Sequence, residues 1–179
     1  KGETLIDSEL VRWVYLQGGI IESIGCFGAY IISFVMLKVP LSSLWRSTGI
    51  YFYEPTKNLT LTDGTIADFA MQEDILREVQ GSYYLAIIIG QLFNLFITKS
   101  RYKYTFRKSA FTNKATYYGA AAAVIVGCVV VFVPGLQAVF QTNFVVALAL
   151  AAPVVTGIFM LFWEMTRHKL HRSGYLKPL

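Results

Sequence analysis

Charge disappears from long stretches of the chain. Trp13 to Leu37 carries one charged residue, Glu22, while Val79 to Thr98 and Ala115 to Trp163 carry none. Each stretch reaches the ~20 residues that an α-helix needs to cross about 30 Å of hydrocarbon. The last is long enough for two crossings, and Pro134-Gly135 with the polar run Gln141-Thr142-Asn143 divides it. The pattern predicts an all-α, polytopic membrane protein with four transmembrane helices, at 13–37, 79–98, 115–133 and 144–163. A lead-in (1–12), a long loop (38–78), a basic loop (99–114), a short loop (134–143) and a tail (164–179) complete the chain.

Composition agrees with this reading. Of 179 residues, 55% are apolar and only 15% charged, with a mean hydropathy of +0.50. The apolar share and the hydropathy exceed what an ordinary soluble domain carries, and the charged share falls below it. A secretory leader has a short apolar core, whereas here the first apolar run is full length and follows an acidic start, so it stays in the product. The absence of Met at position 1 suggests a fragment. Cys26 and Cys128 each fall inside an expected span, which points to core packing rather than a disulfide framework.

Four spans place both termini on one side of the membrane, opposite the loop 38–78. Twelve Lys and Arg residues then lie on the side of the termini and four (Lys38, Arg46, Lys57, Arg77) in the loop, from a total of 16. The positive-inside rule makes the termini cytoplasmic. The net charge of +5 and the basic run 99–114 are accounted for by orientation and headgroup contact, so no nucleic acid is implied. The loop is net negative and faces outward or into a lumen. It holds the glycosylation sequon Asn58-Leu59-Thr60, a turn signal at Asp63-Gly64, and a capping-box pattern, Thr65-Ile66-Ala67-Asp68, leading a helix toward the second span.

Membrane helices associate through small residues that let backbones approach and through polar groups that bond across the contact. The second span reads Ser82, Ala86, Gly90, Asn94, Thr98 at four-residue spacing. The first has Gly18, Glu22, Gly25, Ala29 and Ser33 on one stripe, and the third has Gly119, Ala123 and Gly127. Pro153 in the fourth span predicts a packing kink, with Thr156 placed to satisfy the freed carbonyl or to line a cavity.

Glu22 demands a partner, because a carboxylate inside a spanning helix costs about 2.5–3.5 kcal/mol on insertion scales. It lies roughly 13 Å in from Trp13, and Gln91 roughly 10 Å in from Thr98, at a rise of about 1.5 Å per residue on antiparallel helices. The depths match. One reading is a Glu22–Gln91 or Glu22–Asn94 hydrogen bond locking two helices; the other is a place in an ion or proton path with Gln17, Gln91 and Asn94. His168 and His171 have no further ligands nearby, and no metal site is expected. No glycine-rich phosphate loop, nucleophile elbow or Cys-x-x-Cys pair occurs, so this chain alone has no visible catalytic chemistry and no cofactor of its own.

The run Gln17-Gly18-Gly19-Ile20-Ile21-Glu22-Ser23-Ile24-Gly25-Cys26-Phe27 resembles the seventh membrane helix of animal sodium–potassium pumps and their relatives. Gln91-Leu92-Phe93-Asn94 followed by Thr98-Lys99-Ser100-Arg101 is similar to the end of the eighth. Asn113-Lys114, Gly119 and Pro134-Gly135 recur at the spacing of the ninth, and Pro153 with Glu164 and Arg167 resembles the tenth. The resemblance implies the carboxy-terminal membrane domain of a P-type cation-transporting ATPase. It implies a monovalent cation as cargo, ATP and Mg2+ used elsewhere in the complete pump, the pump's remaining helices and cytoplasmic domains as partners, and the plasma membrane, or an endomembrane, as location.

Two departures touch mechanism. The aspartate that those pumps carry in the eighth helix aligns with Asn94, and the ninth-helix glutamate aligns with Ala123, while Glu22 stands where a glutamine is usual. The loop also lacks the Ser-Tyr-Gly-Gln segment through which animal pumps meet a beta subunit, so that partner stays open. The alternative from another class is a stand-alone four-helix adaptor or small channel.

Overall fold

The computed structural model describes residue 16, residues 18–98 and residues 114–173. Gln17, the lead-in, the basic run 99–113, the end of the tail and the side chains of His168 and His171 lie outside the described residues. Among the described residues five α-helices form: α1 (Gly19–Met36), α2 (Phe69–Thr98), α3 (Lys114–Phe132), the short α4 (Pro134–Phe140) and α5 (Ala151–Arg172). Four segments of the described residues are long and apolar enough to cross a membrane, Gly19–Met36, Phe69–Ile97, Lys114–Phe132 and Ala147–Arg167. Among them α1, α2 and α5 pack mutually, whereas α3 leans mainly on α2.

Helix α2 has 30 residues and begins well ahead of the charge-free stretch. Its first turns hold Glu73, Asp74, Arg77 and Glu78, which hide it from a search for apolar runs. Their spacing is nevertheless helical: Gln72, Ile75, Leu76 and Val79 are buried, while Met71, Glu73 and Asp74 are exposed. The start signal differs from the expected capping box. Asp68, not Thr65, caps the helix, its Oδ1 accepting the Met71 N–H at 2.9 Å. Thr65 belongs instead to the preceding turn, donating its backbone N–H to Asp63 Oδ1 at 3.0 Å. That bond holds the Asp63 carboxyl below the usual carboxylate range.

The turn closes a small antiparallel hairpin, β1 (Leu59–Thr60) against β2 (Ile66–Ala67), with Leu59 opposite Ala67. Gly64 adopts φ +85°, the left-handed region that the Asp63-Gly64 signal provides for. The hairpin is part of an apolar cap. Leu59, Leu61 and Ala67 share one buried cluster with Phe34 and Val39 from the end of α1, Phe52 from the loop, and Ile75, Leu76 and Val79 of α2. The buried Gln72 carboxamide fastens the cap, donating to the Lys57 carbonyl at 2.9 Å and the Ala67 carbonyl at 3.2 Å.

The break between α3 and α5 is also structured. Val133 is extended, Pro134 opens α4 at its first position, and Gln141 ends it in the left-handed conformation at φ 51°. Thr142 is buried and donates its hydroxyl to the Val130 carbonyl at 3.2 Å, and the Asn143 N–H reaches the Arg77 carbonyl at 3.2 Å. The polar run therefore ties the α4–α5 connection back to α2. A 3-10 turn, Ala147–Leu150, leads into α5.

Pro153 stands at the third residue of α5, just past that 3-10 turn, rather than in a helix interior. The expected kink is corrected on this point: in a first turn the missing N–H has no intrahelical acceptor to lose. The Thr156 hydroxyl donates to the Ala152 and Pro153 carbonyls at 3.1 and 3.2 Å, not to a carbonyl freed by the proline. At the far end of α5, Glu164 is 1% exposed and accepts the Arg167 Nε–H at 2.9 Å.

Candidate functional site

Glu22 enters from α1, and α2 supplies what surrounds it. Gln91 Nε2 donates to Glu22 Oε1 at 2.6 Å, and Asn94 Nδ2 approaches Glu22 Oε2 at 3.4 Å. Both partners foreseen as alternatives thus meet the same carboxylate, one on each oxygen. The spacing explains it, because residues three apart on α2 project to one side of the helix. Gly90 makes the approach possible. A Cβ built there meets Glu22 Cγ at 2.8 Å and Oε1 at 3.0 Å, so any side chain at position 90 would push the carboxylate away.

Charge-assisted bonds of this kind are about twice as strong as neutral ones, and they offset the cost of holding an acid at this depth. The cluster is not sealed: Glu22 is half-buried and Gln91 exposed. Both carboxamides turn their N–H groups to the acid, so as arranged the cluster is a lock between α1 and α2. A bound cation would need Gln91 or Asn94 to rotate and present its oxygen. Among the described residues no three His, Cys, Asp or Glu side chains gather as a metal site.

The small residues sort into two groups. Gly25 is pressed against α5, where an added Cβ runs into Thr156 Oγ1 and comes within 3.2 Å of Pro153 Cα. Gly18, Ala29 and Ser33 are buried on the same stripe, and the Ser33 hydroxyl donates to the Ala29 carbonyl at 2.8 Å. Gly127 of α3 receives the tip of Ile88 from α2. Gly119 is the exception: an added Cβ there meets nothing within 4 Å among the described residues, so this structure does not make it a packing glycine. Conversely, Gly157 of α5, which belongs to no stripe in the sequence reading, lies flat against the Phe93 ring of α2. Cys26 is buried and Cys128 half-buried, and both are free thiols.

Ser82 has a double role. Its hydroxyl donates to the Glu78 carbonyl at 2.9 Å and accepts the Val146 N–H, also at 2.9 Å, at the entry to the last membrane segment. Ser82 is wholly buried. Ser82→Ala leaves the Val146 N–H without its acceptor, an expected loss of about 1–3 kcal/mol. Hydrogen exchange at the Val146 amide is the direct readout, and exchange as slow as in the parent protein would show that the bond carries no weight.

The fold and this cluster define a class: a polytopic helical membrane domain, braced through small-residue contacts and one intramembrane acid shared by two helices. Comparison with known proteins gives the family. The model described as "Cation transporting ATPase, C-terminus" matches residues 1–170, and the chain belongs to this family. It is similar to the potassium-transporting ATPase alpha chain 2 of Oryctolagus cuniculus, 22% identical over 163 residues, which are 91% of this chain and 15% of that protein. The protein of the same name from Rattus norvegicus is 26% identical over 149 residues, 80% of this chain and 14% of that protein. The chain thus spans about 15% of the length of the curated relatives it matches.

Proposed function

We propose that this chain is the membrane support domain of an ATP-driven monovalent-cation pump moving sodium, potassium or protons. In this reading α1, α2 and α5 brace the transport helices, and the Glu22 cluster borders the cation path. One observation carries the reading: Glu22 and Gln91 share a partly open site at membrane depth. An acid facing hydrocarbon is costly, so such a face belongs against protein or water. The remaining helices of the same pump supply both. The named relatives, which are potassium-transporting ATPase alpha chains, favour this choice of cargo class.

ATP and Mg2+ act in the complete pump, but the described residues do not fit them. They offer apolar helices and one shared acid rather than a phosphate cradle, so no step through the nucleotide is assigned to this chain. The termini face the cytoplasm, the loop 38–78 faces outward, and the plasma membrane is the preferred location. A beta subunit has no support in the loop sequence.

The test is transport by the complete gene product, reconstituted in sealed vesicles. ATP-dependent accumulation of a monovalent cation is expected, from a polypeptide several times larger than 20.1 kDa on an immunoblot of native membranes. A native band of this chain's own size, with no ATP-dependent flux, would replace the pump by the stand-alone adaptor or small channel.

A further inference from the structure

Asn58-Leu59-Thr60 is the only Asn-x-Ser/Thr triplet in the chain, and its surroundings make it more than a chance match. β1 begins at Leu59, so Leu59 and Thr60 point to opposite sides of the strand, and Asn58 stands immediately ahead of it. Leu59 is 2% exposed and belongs to the apolar cap, while Asn58 and Thr60 are both exposed. The acceptor amide and the hydroxyl that glycosyl transfer requires are therefore both open to solvent, with a buried anchor between them. Among the described residues no hydrogen bond engages either side chain.

Height is the second observation. Thirty residues of α2 extend about 45 Å, against about 30 Å of hydrocarbon. The surplus of roughly 15 Å lies at the charged end, residues 69–78, which carries the hairpin. The buried Gln72 holds the Lys57 carbonyl, and with it the approach to Asn58, at that height. The site is thus displaced from the membrane surface, which leaves room for a membrane-bound transferase to reach it and for a glycan to remain on the folded protein.

We propose that Asn58 is N-glycosylated, by an oligosaccharide carried on a lipid pyrophosphate. Asn58 Nδ2 attacks the anomeric carbon; the C–N bond forms as the C–O bond to pyrophosphate breaks. The lipid pyrophosphate leaves, and one amide proton passes to a base of the transferase. The proposal rests on the outward placement of the loop given under the proposed function.

The experiment uses the complete gene product in eukaryotic cells, with an epitope bearing its own sequon appended at that product's carboxy terminus. Removal of N-glycans from the parent protein is expected to give one mobility step that Asn58→Gln and Thr60→Ala both lack and that Thr60→Ser keeps. The Thr60 variants guard against misfolding, since Thr60 pairs with Ile66 through its backbone alone. Parent and Asn58→Gln protein that migrate together before and after deglycosylation overturn the proposal. Glycan on the tail epitope in that same sample shows that the orientation has failed too. An unmodified tail, with a loop cleaved by protease added outside intact cells, shows that the orientation stands and only the glycan has failed.

Discussion

Glu22→Gln, made in the complete gene product, is expected on the proposed pump function to weaken apparent cation affinity by roughly ten- to a hundredfold while the protein still reaches the membrane. The substitution keeps size and removes charge. A cation that displaces the lock loses the ionised form of its ligand, a contact of the kind worth about 1.5–3 kcal/mol, and about 1.4 kcal/mol is a factor of ten. Geometry adds to the loss. Two amide N–H groups face the carboxylate, from Gln91 at 2.6 Å and Asn94 at 3.4 Å, and a carboxamide has one oxygen to offer them. The new amide therefore opposes one of these donors, and Asn94 has to rotate. Gln91→Leu removes a donor but keeps the acid, so it should disturb the lock more than the ion dependence. Cation titrations of ATPase rate, run on both variants and the double variant, separate the two roles. Unchanged affinity, rate and expression in Glu22→Gln would remove this acid from the transport path.

Gly25→Val is expected to be the most damaging change for the bundle itself. The added side chain meets Thr156 Oγ1, which is already bonded to two carbonyls, and Pro153 Cα, which is backbone. No rotamer change relieves a backbone contact, so α1 and α5 have to part. Overpacking typically costs about 1–3 kcal/mol, and this position belongs at the upper end. Gly127→Ala makes the control, because its obstacle is the mobile tip of Ile88. Thermal denaturation in detergent, followed by size-exclusion chromatography, should show a clear fall in midpoint for Gly25→Val and a small one for Gly127→Ala. Equal shifts would mean that the contact between α1 and α5 is no tighter than that between α2 and α3.

The apolar segments were legible because hydrocarbon imposes their length, and the meeting of Glu22 with Gln91 was legible because depth along a helix follows from residue count alone. Neither needs knowledge of side-chain packing. The early start of α2 was obscured by Glu73, Asp74, Arg77 and Glu78, which break an apolar run without breaking a helix. Asp68 competed with Thr65 for the cap, and both satisfy the sequence signal; only the backbone path decides between them. Gly157 escaped notice because its partner is a ring on another helix, a relation that no spacing within one segment records. Gly119 shows the converse, since a small residue in register with Gly127 meets no neighbour among the described residues. Register identifies a face, but only the packing of α3 against α2 decides which part of that face is covered.

Phe34, Val39 and Val79 belong to the same buried cluster as the hairpin residues Leu59, Leu61 and Ala67. The cap is consequently no slack tether between two rods. A load applied at its rim passes into α1 and α2 together, and α1 carries it about 18 Å inward, twelve residues along a stiff lever, to Glu22. A neighbour gripping the water-facing side, or a bulky sugar resisting its movement, would shift the acid's equilibrium position without touching it.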